Sequence, residues 1–448
     1  MPYSIRTIMR TAFFLSIIAI LFIQGAVIAT AEDWSSWKHR MPITLTGRQA
    51  DTAGLVPVDV TFSLFADQCT KPEREIRLVS AEGDMKEVPF QLSGVTKWTK
   101  DTDGNRSLPT VNGMITFFDE APSGAYILLY GNPNATAPTY PTDLKVTGSK
   151  PGWTVDNGVM TVDFRGKSSE LPESTNHDSG QLAKVTLKSR PDAPFTSHYG
   201  MLHWNPGIFV PARGWMHSFA WDPPEVCEIE QGPLFVKITR SGIFPDIPEV
   251  HLAITYRIFT NRDYVESGTV MTINDDIGVV ALRNNQLVFE ANMFTKIAWS
   301  ENGKSIDKSL DIYKPVNSHG DILRLSDRID YIALANPATG IGVASVIVDY
   351  NNVGPGGAPP TLFDNATYVS NGGHALTYFF RPLIYFHVGW DRKQLITVPK
   401  GSVYSERNLY HFYDAGSGDT FGAVVMLSKA VNNMPGIRIG DGGFPPEK

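Results

Sequence analysis

Turn-forming residues interrupt this chain so often that little of it can form long helices, and this is the strongest limit on its fold. Short runs rich in β-branched and aromatic side chains, such as "MPITLTG" (residues 41–47) and "EIRLVSA" (75–81), stand between clusters of Gly, Pro, Asn and Asp. The chain contains 39 Gly and 31 Pro, enough for many turns. Short runs bounded by turn residues are typical of β-strands. The sequence therefore predicts an all-β protein.

The chain divides at a segment that has no apolar periodicity. The stretch "GNPNATAPTYPTD" contains three Pro and several small polar residues, which predicts a linker over residues 131–149. Before it, residues 32–130 match a small β-sandwich in size and in the number of strand-like runs. After it, residues 150–430 predict a larger β-domain, and residues 431–448 are expected to form a loose tail.

The larger unit has a pattern that is similar to a known fold. An Asn-Gly hairpin in "WTVDNGVMTVDFRG" (153–166) is followed by "GPLFVKI" (232–238) and "ITYRIFTNRDYVE" (254–266). This order resembles the β-supersandwich domain of galactose-mutarotase-like proteins, which also occurs in many polysaccharide lyases and glycosidases. The resemblance implies a β-supersandwich with a large concave sheet that commonly receives carbohydrate. It includes no catalytic signature, and a fold alone does not determine function.

Residues 1–31 have the three parts of an export signal. Arg6 and Arg10 precede the apolar run "AFFLSIIAILFI", and "ATA" then gives the small-x-small pattern of a cleavage site. The apolar run is short for a membrane span. We therefore expect cleavage near Glu32, a periplasmic or secreted protein, and no stable membrane insertion after cleavage. An uncleaved membrane anchor is the alternative.

The acidic composition argues against nucleic acid as a partner. The formal net charge is -7, and it becomes -9 without residues 1–31, which contain two Arg and no acid. Phosphate binding requires clustered Lys and Arg. The two cysteines, Cys69 and Cys227, have no zinc or haem spacing, and a disulfide or two separate thiols are both open. No cofactor motif or metal-ligand spacing is recognisable, and a structural calcium ion stays open.

One segment concentrates aromatic side chains. Residues 197–225, "SHYGMLHWNPGIFVPARGWMHSFAWDPPE", contain three of the nine Trp and three of the ten His of the chain. Four Pro interrupt the segment, so we expect a long ordered loop that leads into a strand near Gly232. Sugar rings present an apolar face to indole groups and hydroxyl groups to His, Arg and carboxylates. The predicted substrate-binding residues are Trp204, Arg213, Trp215, Trp221 and Glu225.

Functions from different classes fit this segment. A polysaccharide lyase that cleaves a uronic-acid glycan by β-elimination needs a base, an acid and a group that stabilises the carboxylate. We expect Tyr199, His203 and His217 to be the catalytic residues, with Arg213 facing the carboxylate. The first alternative is an exported protein that binds a glycan or assembles with a partner without catalysis. A sugar epimerase or a glycoside hydrolase on the same fold is a further alternative, and indoles that merely close the end of a β-sandwich are another.

Overall fold

The computed structural model describes residues 33–98, 109–310, 322–362, 366–373, 375–385, 395–416 and 418–440. Strands account for most of the secondary structure in these residues, and they pair in antiparallel sheets. The predicted all-β class is therefore confirmed. The predicted export signal lies outside the described residues.

The first unit is a β-sandwich with its own hydrophobic core. Its elements are β1 (His39–Thr46), β2 (Pro57–Phe65), α1 (Pro72–Glu75), β3 (Arg77–Ser80), β4 (Phe90–Trp98), β5 (Thr110–Phe118) and β6 (Ala125–Tyr130). One sheet contains β1-β6-β3 and the other β2-β5-β4. Alternate residues of β2, namely Val58, Val60, Phe62 and Leu64, face the core, as the period of a strand requires. The Cys69 thiol lies in this core and is free.

A four-stranded sheet of order β10-β9-β8-β7 follows. Its strands are β7 (Lys145–Ser149), β8 (Gly152–Asp156), β9 (Met160–Phe164) and β10 (Leu182–Leu187). The predicted Asn-Gly hairpin joins β8 to β9. The buried Asn157 side chain accepts hydrogen bonds from the amides of Val159 and Met160, and it donates to the carbonyls of Phe259 and Arg262. These bonds tie the hairpin to the large sheet described next.

Part of the predicted linker is a strand. Residues 131–144 contain no strand, but residues 145–149 form β7, which pairs with β8 over its whole length. Four of the five β7 residues are exposed, so no apolar pattern marks this strand in the sequence. Its extended conformation comes from hydrogen bonding to β8 rather than from its own side chains.

Two large sheets form the second unit. The first has nine strands: β13 (Val226–Gln231), β14 (Phe235–Phe244), β15 (Ile247–Phe259), β16 (Tyr264–Ile273), β19 (Lys296–Glu301), β20 (Lys304–Ser309), β22 (Ile329–Asn336), β23 (Ile341–Val353) and β27 (Val403–Asp414). Their order is β13-β14-β15-β16-β27-β23-β22-β19-β20. Strand β27 therefore lies in the middle of the sheet, between β16 and β23, although it is the last of the nine in the sequence.

The second large sheet has six strands: β11 (Gly207–Val210), β12 (Gly214–His217), β18 (Ala281–Glu290), β21 (Ile322–Arg324), β24 (Tyr368–Gly373) and β25 (Leu376–Tyr385). Their order is β12-β11-β18-β25-β24-β21. A separate pair joins β17 (Ile277–Val279) to β26 (Ile396–Val398). The largest hydrophobic core contains Leu252 and Ile254 from the nine-stranded sheet with Leu287, Phe379 and Leu383 from the six-stranded sheet. Two large sheets packed in this way agree with the β-supersandwich that the resemblance implies.

The last described residues return to the first unit. Helix α2 (Gly422–Asn432) packs Val424, Leu427 and Val431 on the nine-stranded sheet, in a cluster that also contains Phe118 of the first unit. Strand β28 (Gly436–Ile439) then pairs with β1 and forms an edge of its sheet. This part of the expected loose tail is therefore ordered, because β1 offers it an unpaired edge. Residues 441–448 of that tail lie outside the described residues.

Candidate functional site

The aromatic segment is more regular than the sequence predicts. Instead of one loop up to Gly232, residues 197–225 contain the hairpin β11–β12, and β13 starts at Val226. Pro206 stands directly before β11 and Pro211 directly after it, so neither interrupts the ladder. Strand β11 also pairs with β18, and the hairpin is therefore the edge of the six-stranded sheet.

Hydrogen bonds hold the first part of the segment against the rest of the fold. The buried Arg165 guanidinium donates to the carbonyls of Tyr199 and Gly200, at 2.8 Å each. The amide of Trp204 donates to the carbonyl of Gln286. Gln286 belongs to β18, the strand that also pairs with β11. The hydrogen bonds from Arg165 and to Gln286 therefore hold the backbone at Tyr199 and Trp204, and this sets the positions of the two rings.

Five rings of the segment form a continuous series, which we call the aromatic strip: Tyr199, Trp204, Phe219, His217 and Trp215. The ring centroids of Tyr199 and Trp204 are 5.3 Å apart, and those of Trp204 and Phe219 are also 5.3 Å apart. The His217 ring stacks between Phe219, at 5.0 Å, and Trp215, at 5.5 Å. Each of the five side chains is partly exposed. The strip is therefore an aromatic surface that a flat apolar ligand can contact.

Alternation along β12 explains which face carries the strip. Trp215 and His217 are two residues apart and share one face, whereas Met216 between them packs against the core between the two large sheets. The aromatic strip is consequently on the outer face of the six-stranded sheet.

Neighbouring strands of the same sheet extend this surface. Arg283 of β18 lies between two rings, with its guanidinium carbon 4.3 Å from the centroid of Trp215 and 4.1 Å from that of Phe380. Phe209 contacts Trp215 at 5.6 Å, and Tyr378 contacts Phe380 at 5.8 Å. A guanidinium between two aromatic faces is held by cation–π attraction, and it adds positive charge to the outer face.

Sequence reasoning missed Arg283, Phe380 and Phe219. The first two lie outside the aromatic segment, on strands whose core-facing neighbours are Leu282 and Phe379. The available signal was strand alternation, which turns Arg283 and Phe380 away from those neighbours, but it does not say which strands lie together. Phe219 lies inside the aromatic segment, and its aromatic side chain was the signal that could have identified it as a site residue.

Polar groups converge beside the strip at Gly207. Gly207 and His217 are cross-strand partners, and the His217 ring lies over the glycine because no side chain is present there. A Cβ added at Gly207 would be 2.6 Å from His217 Nδ1 and 2.8 Å from Asn205 Oδ1. His217 Nδ1 and both side-chain amide atoms of Asn205 are inaccessible and have no hydrogen bond within the described residues. Buried polar atoms normally have partners, but these atoms are inaccessible, so a ligand on the outer face reaches them only if the side chains move.

Electrostatics keep the His217 ring neutral. Burial, which is the larger cause, and the positive charge of Arg283 together lower its pKa from 6.5 to about 3. A neutral imidazole offers one donor and one acceptor to a hydroxyl group. It is a weak base, because its pKa lies far below neutral pH.

His203 and Trp221 face the core and not the strip. His203 is fully buried, with Nδ1 2.7 Å from the Tyr256 hydroxyl and Nε2 3.3 Å from the Tyr410 hydroxyl. Burial lowers the pKa of His203 to about 3. The indole of Trp221 is also buried and stacks under Arg240, whose guanidinium carbon is 4.9 Å from the ring centroid. In this conformation neither side chain can touch a ligand on the outer face.

Arg213 and Glu225 lie near the turn between β14 and β15. Arg213 is exposed, donates to the carbonyl of Asp246 and is 3.7 Å from Glu249. Glu225 accepts a hydrogen bond from the amide of Ile243 at 3.2 Å. The structure thus brings Tyr199, Trp204, Trp215 and His217 together and separates the other four predicted residues from them.

Within the described ranges, no three His, Cys, Asp or Glu side chains are grouped so that they could hold a metal ion. No helix in the described part of the chain is long and apolar enough to cross a membrane.

Comparison with known proteins gives a fold-level likeness. No protein-family model and no curated protein sequence matches this chain significantly. Two solved structures from Enterococcus faecalis are similar in fold, each with a TM-score of 0.51. One is a protein in the glycosyl hydrolase family 38, at 10% identity over 91% of this chain and 48% of its own. The other is an α-mannosidase, at 11% identity over 92% of this chain and 47% of its own. The chain therefore spans about half the length of these two proteins.

A galactose mutarotase-like protein from Lactobacillus casei also matches. It has 10% identity and a TM-score of 0.37, and the match covers 58% of this chain and 99% of the other.

Proposed function

We propose that the protein binds a polysaccharide or oligosaccharide along the aromatic strip. The observation that carries this proposal is the unbroken contact of five partly exposed rings from Tyr199 to Trp215. Pyranose rings pack their C–H groups against aromatic side chains. Because the His217 ring is stacked between Phe219 and Trp215, a sugar would contact ring edges at that end of the strip.

A charged group lies at one end of the strip. The Arg283 guanidinium packs on Trp215, and its positive charge favours an anionic ligand near that end of the strip. We therefore propose that an acidic glycan binds better than a neutral one.

The fold supports a sugar ligand without specifying it. One of the E. faecalis proteins that share this fold is an α-mannosidase, and a fold can keep a ligand class while its chemistry changes. Export of the protein, which residues 1–31 predict, would place it where polysaccharides are met.

Binding without catalysis is favoured over β-elimination by the position of the histidines. An elimination needs an accessible base whose pKa is close to the working pH. His203 lies in the core, and the Nδ1 atom of His217 is buried on a ring with a pKa of about 3. Of the three catalytic residues predicted from the sequence, Tyr199 and His217 are partly exposed in the strip and His203 is buried. We therefore place a polysaccharide lyase second.

Affinity electrophoresis tests the proposal. The purified protein is run through gels that contain soluble polysaccharides, some neutral and some rich in uronic acid. We expect at least one polymer to retard the protein, and Trp204→Ala to weaken that retardation about tenfold or more, as for a central aromatic contact. Trp98→Ala is the control, because Trp98 is 52% exposed on the first unit.

Two results would oppose the proposal: no polymer retards the wild type, or Trp204→Ala is retarded as strongly as Trp98→Ala. Circular dichroism establishes that each variant is folded. Ultraviolet absorbance of unsaturated sugars, measured in the same mixtures, decides between binding alone and β-elimination.

A further inference from the structure

A pocket opens on the surface of the first unit, away from the aromatic strip. Its volume is about 510 Å³, within the range of about 300–1,000 Å³ that is typical of small-molecule sites. Residues of the short turn at 33–37 form one wall, and the segment 136–140 forms another. We call it the N-terminal pocket. Unlike a close-packed core, it has room for a small ring-shaped molecule.

Two partly exposed aromatic side chains of the N-terminal pocket are each held by their own polar atom. The Trp37 Nε1 atom donates to the carbonyl of Glu75 at 3.1 Å. The Tyr140 hydroxyl donates to Glu87 Oε1 at 2.6 Å. A third ring, Trp34, is buried at the edge of the pocket and contacts the Trp37 ring at a centroid distance of 5.3 Å. The rings of Trp37 and Tyr140 are therefore in position before a ligand arrives, which lowers the entropic cost of binding.

The charged groups of the pocket leave it negative overall. Arg77 Nε is 3.3 Å from Glu87 Oε1, and the Arg77 guanidinium carbon is 5.4 Å from the centroid of the Trp37 ring. Asp33 is exposed, and one of its carboxylate oxygens accepts a hydrogen bond from the amide of Ser35. Because Arg77 and Glu87 neutralise each other, the charge that a ligand meets in the pocket is that of Asp33.

This combination of rings and carboxylates indicates the chemistry of a ligand. Trp37 and Tyr140 offer apolar surface to C–H groups. An ionised carboxylate such as that of Asp33 only accepts hydrogen bonds, so it is best matched by a ligand that donates them. A sugar with a carboxylate would add a second negative charge beside Asp33 and would be repelled. A sugar with hydroxyl groups and no charge supplies both the C–H groups and the donors.

We propose that the N-terminal pocket binds a neutral sugar unit, with its C–H groups against Trp37 and its hydroxyl groups toward Asp33. The pocket is on the first unit and the aromatic strip is on the second, so this site does not depend on glycan binding by the strip. Its preference is also the opposite one, since Arg283 favours an anionic glycan at the strip.

Isothermal titration of the full chain tests this site. The neutral probes are glucose, mannose, galactose and N-acetylglucosamine, and glucuronic acid is the acidic counterpart of glucose. Each is titrated into Trp204→Ala, so that the aromatic strip does not contribute to the signal. We expect at least one neutral sugar to bind, and glucuronic acid to bind about tenfold more weakly than that sugar or not at all.

Two further substitutions in the Trp204→Ala protein locate the binding. Trp37→Ala removes the exposed ring, and Asp33→Ser removes the carboxylate while serine still caps the turn. Each should weaken binding of the neutral sugar about tenfold or more, as for the loss of a central ring contact or of a hydrogen bond to a charged group. Asp33→Ser keeps the test available if Trp37→Ala does not fold.

The matched controls are Trp98→Ala and Asp67→Ser, which change exposed residues of the same type on the same unit, outside the pocket. Both should bind the sugar as the parent protein does, and thermal unfolding without sugar establishes that each variant is folded. The proposal is overturned if no neutral probe binds, if glucuronic acid binds as tightly as the neutral sugars, or if folded Asp33→Ser binds as tightly as Asp67→Ser.

Discussion

A methyl group at Gly207 should damage both stability and glycan binding. Gly207→Ala places a Cβ 2.6 Å from His217 Nδ1, 2.8 Å from Asn205 Oδ1 and 2.9 Å from His217 Cε1. Cβ atoms do not approach other atoms this closely, so the imidazole or the amide must move. The His217 ring stacks between Phe219 and Trp215, and its displacement breaks the aromatic strip between these two rings.

Overpacking of a buried site by one methyl group costs about 1–3 kcal/mol. We therefore expect the free energy of unfolding in urea to fall by about that amount in Gly207→Ala. Retardation by the polysaccharide that binds the wild type should weaken at least as much as in Trp204→Ala. Both changes follow from the same displaced ring.

Gly268→Ala is the control for this experiment. Gly268 also lies in a strand, but a Cβ there would meet nothing within 4 Å. Its stability should stay within about 0.5 kcal/mol of the wild type, as for most surface substitutions. If Gly207→Ala were as stable as Gly268→Ala and bound glycan normally, the argument that Gly207 makes room for His217 would be refuted.

Three other predictions concern stability and reactivity. Asn157→Ala should lower the free energy of unfolding by about 3 kcal/mol, because two buried amides and two carbonyls lose their partner, whereas Asn134→Ala on an exposed turn should have little effect. The neutral His203 has a folded-state pKa of about 3, against about 6.5 when unfolded, so its stabilising effect is complete above pH 6.5 and is lost as the pH falls toward 3. At pH 5 this contribution is smaller by about 2 kcal/mol than at pH 7. His217 has a similar shift and is present in both proteins, so the loss of stability between pH 7 and pH 5 in urea unfolding should be about 2 kcal/mol smaller in His203→Gln than in the wild type, and an equal loss in both proteins would contradict this origin. Burial raises the pKa of the Cys69 thiol to about 12 and also raises that of Cys227, so a thiol reagent should modify both only after unfolding; rapid labelling of the native protein would disagree.

The sequence predicts the strands of this protein well where one face is buried. In β2 the alternation of buried and exposed residues is visible from the side chains alone, and the Asn-Gly pair at 157–158 correctly locates the β8–β9 hairpin. Strand β7 escapes prediction because nearly all of its residues are exposed. The position of β27 in the middle of the nine-stranded sheet also escapes prediction, since it depends on contacts between residues that are distant in the sequence.

Only part of the candidate site was predictable from the sequence. Enrichment in aromatic residues identifies the segment, but it does not tell which way a ring points. His203 and Trp204 are neighbours, yet the first is in the core and the second is in the aromatic strip. Adjacent residues of an extended chain face opposite sides, so a composition argument that treats both as ligand contacts must fail for one of them. Arg213 illustrates a second limit, because its side chain bonds to the carbonyl of Asp246 in the turn between β14 and β15.

The two faces of the six-stranded sheet show where this fold departs from maximal stability. Its outer face leaves aromatic rings partly exposed, and on its inner face Arg381 pairs with Glu406 of the nine-stranded sheet, which also bonds to Asn408. A buried ion pair is often no more stabilising than apolar residues of the same volume. The core contains Phe379 and Leu383 on either side of Arg381 in β25, so the surrounding sheet already uses such residues. Stability alone therefore does not require this charged pair between the two large sheets.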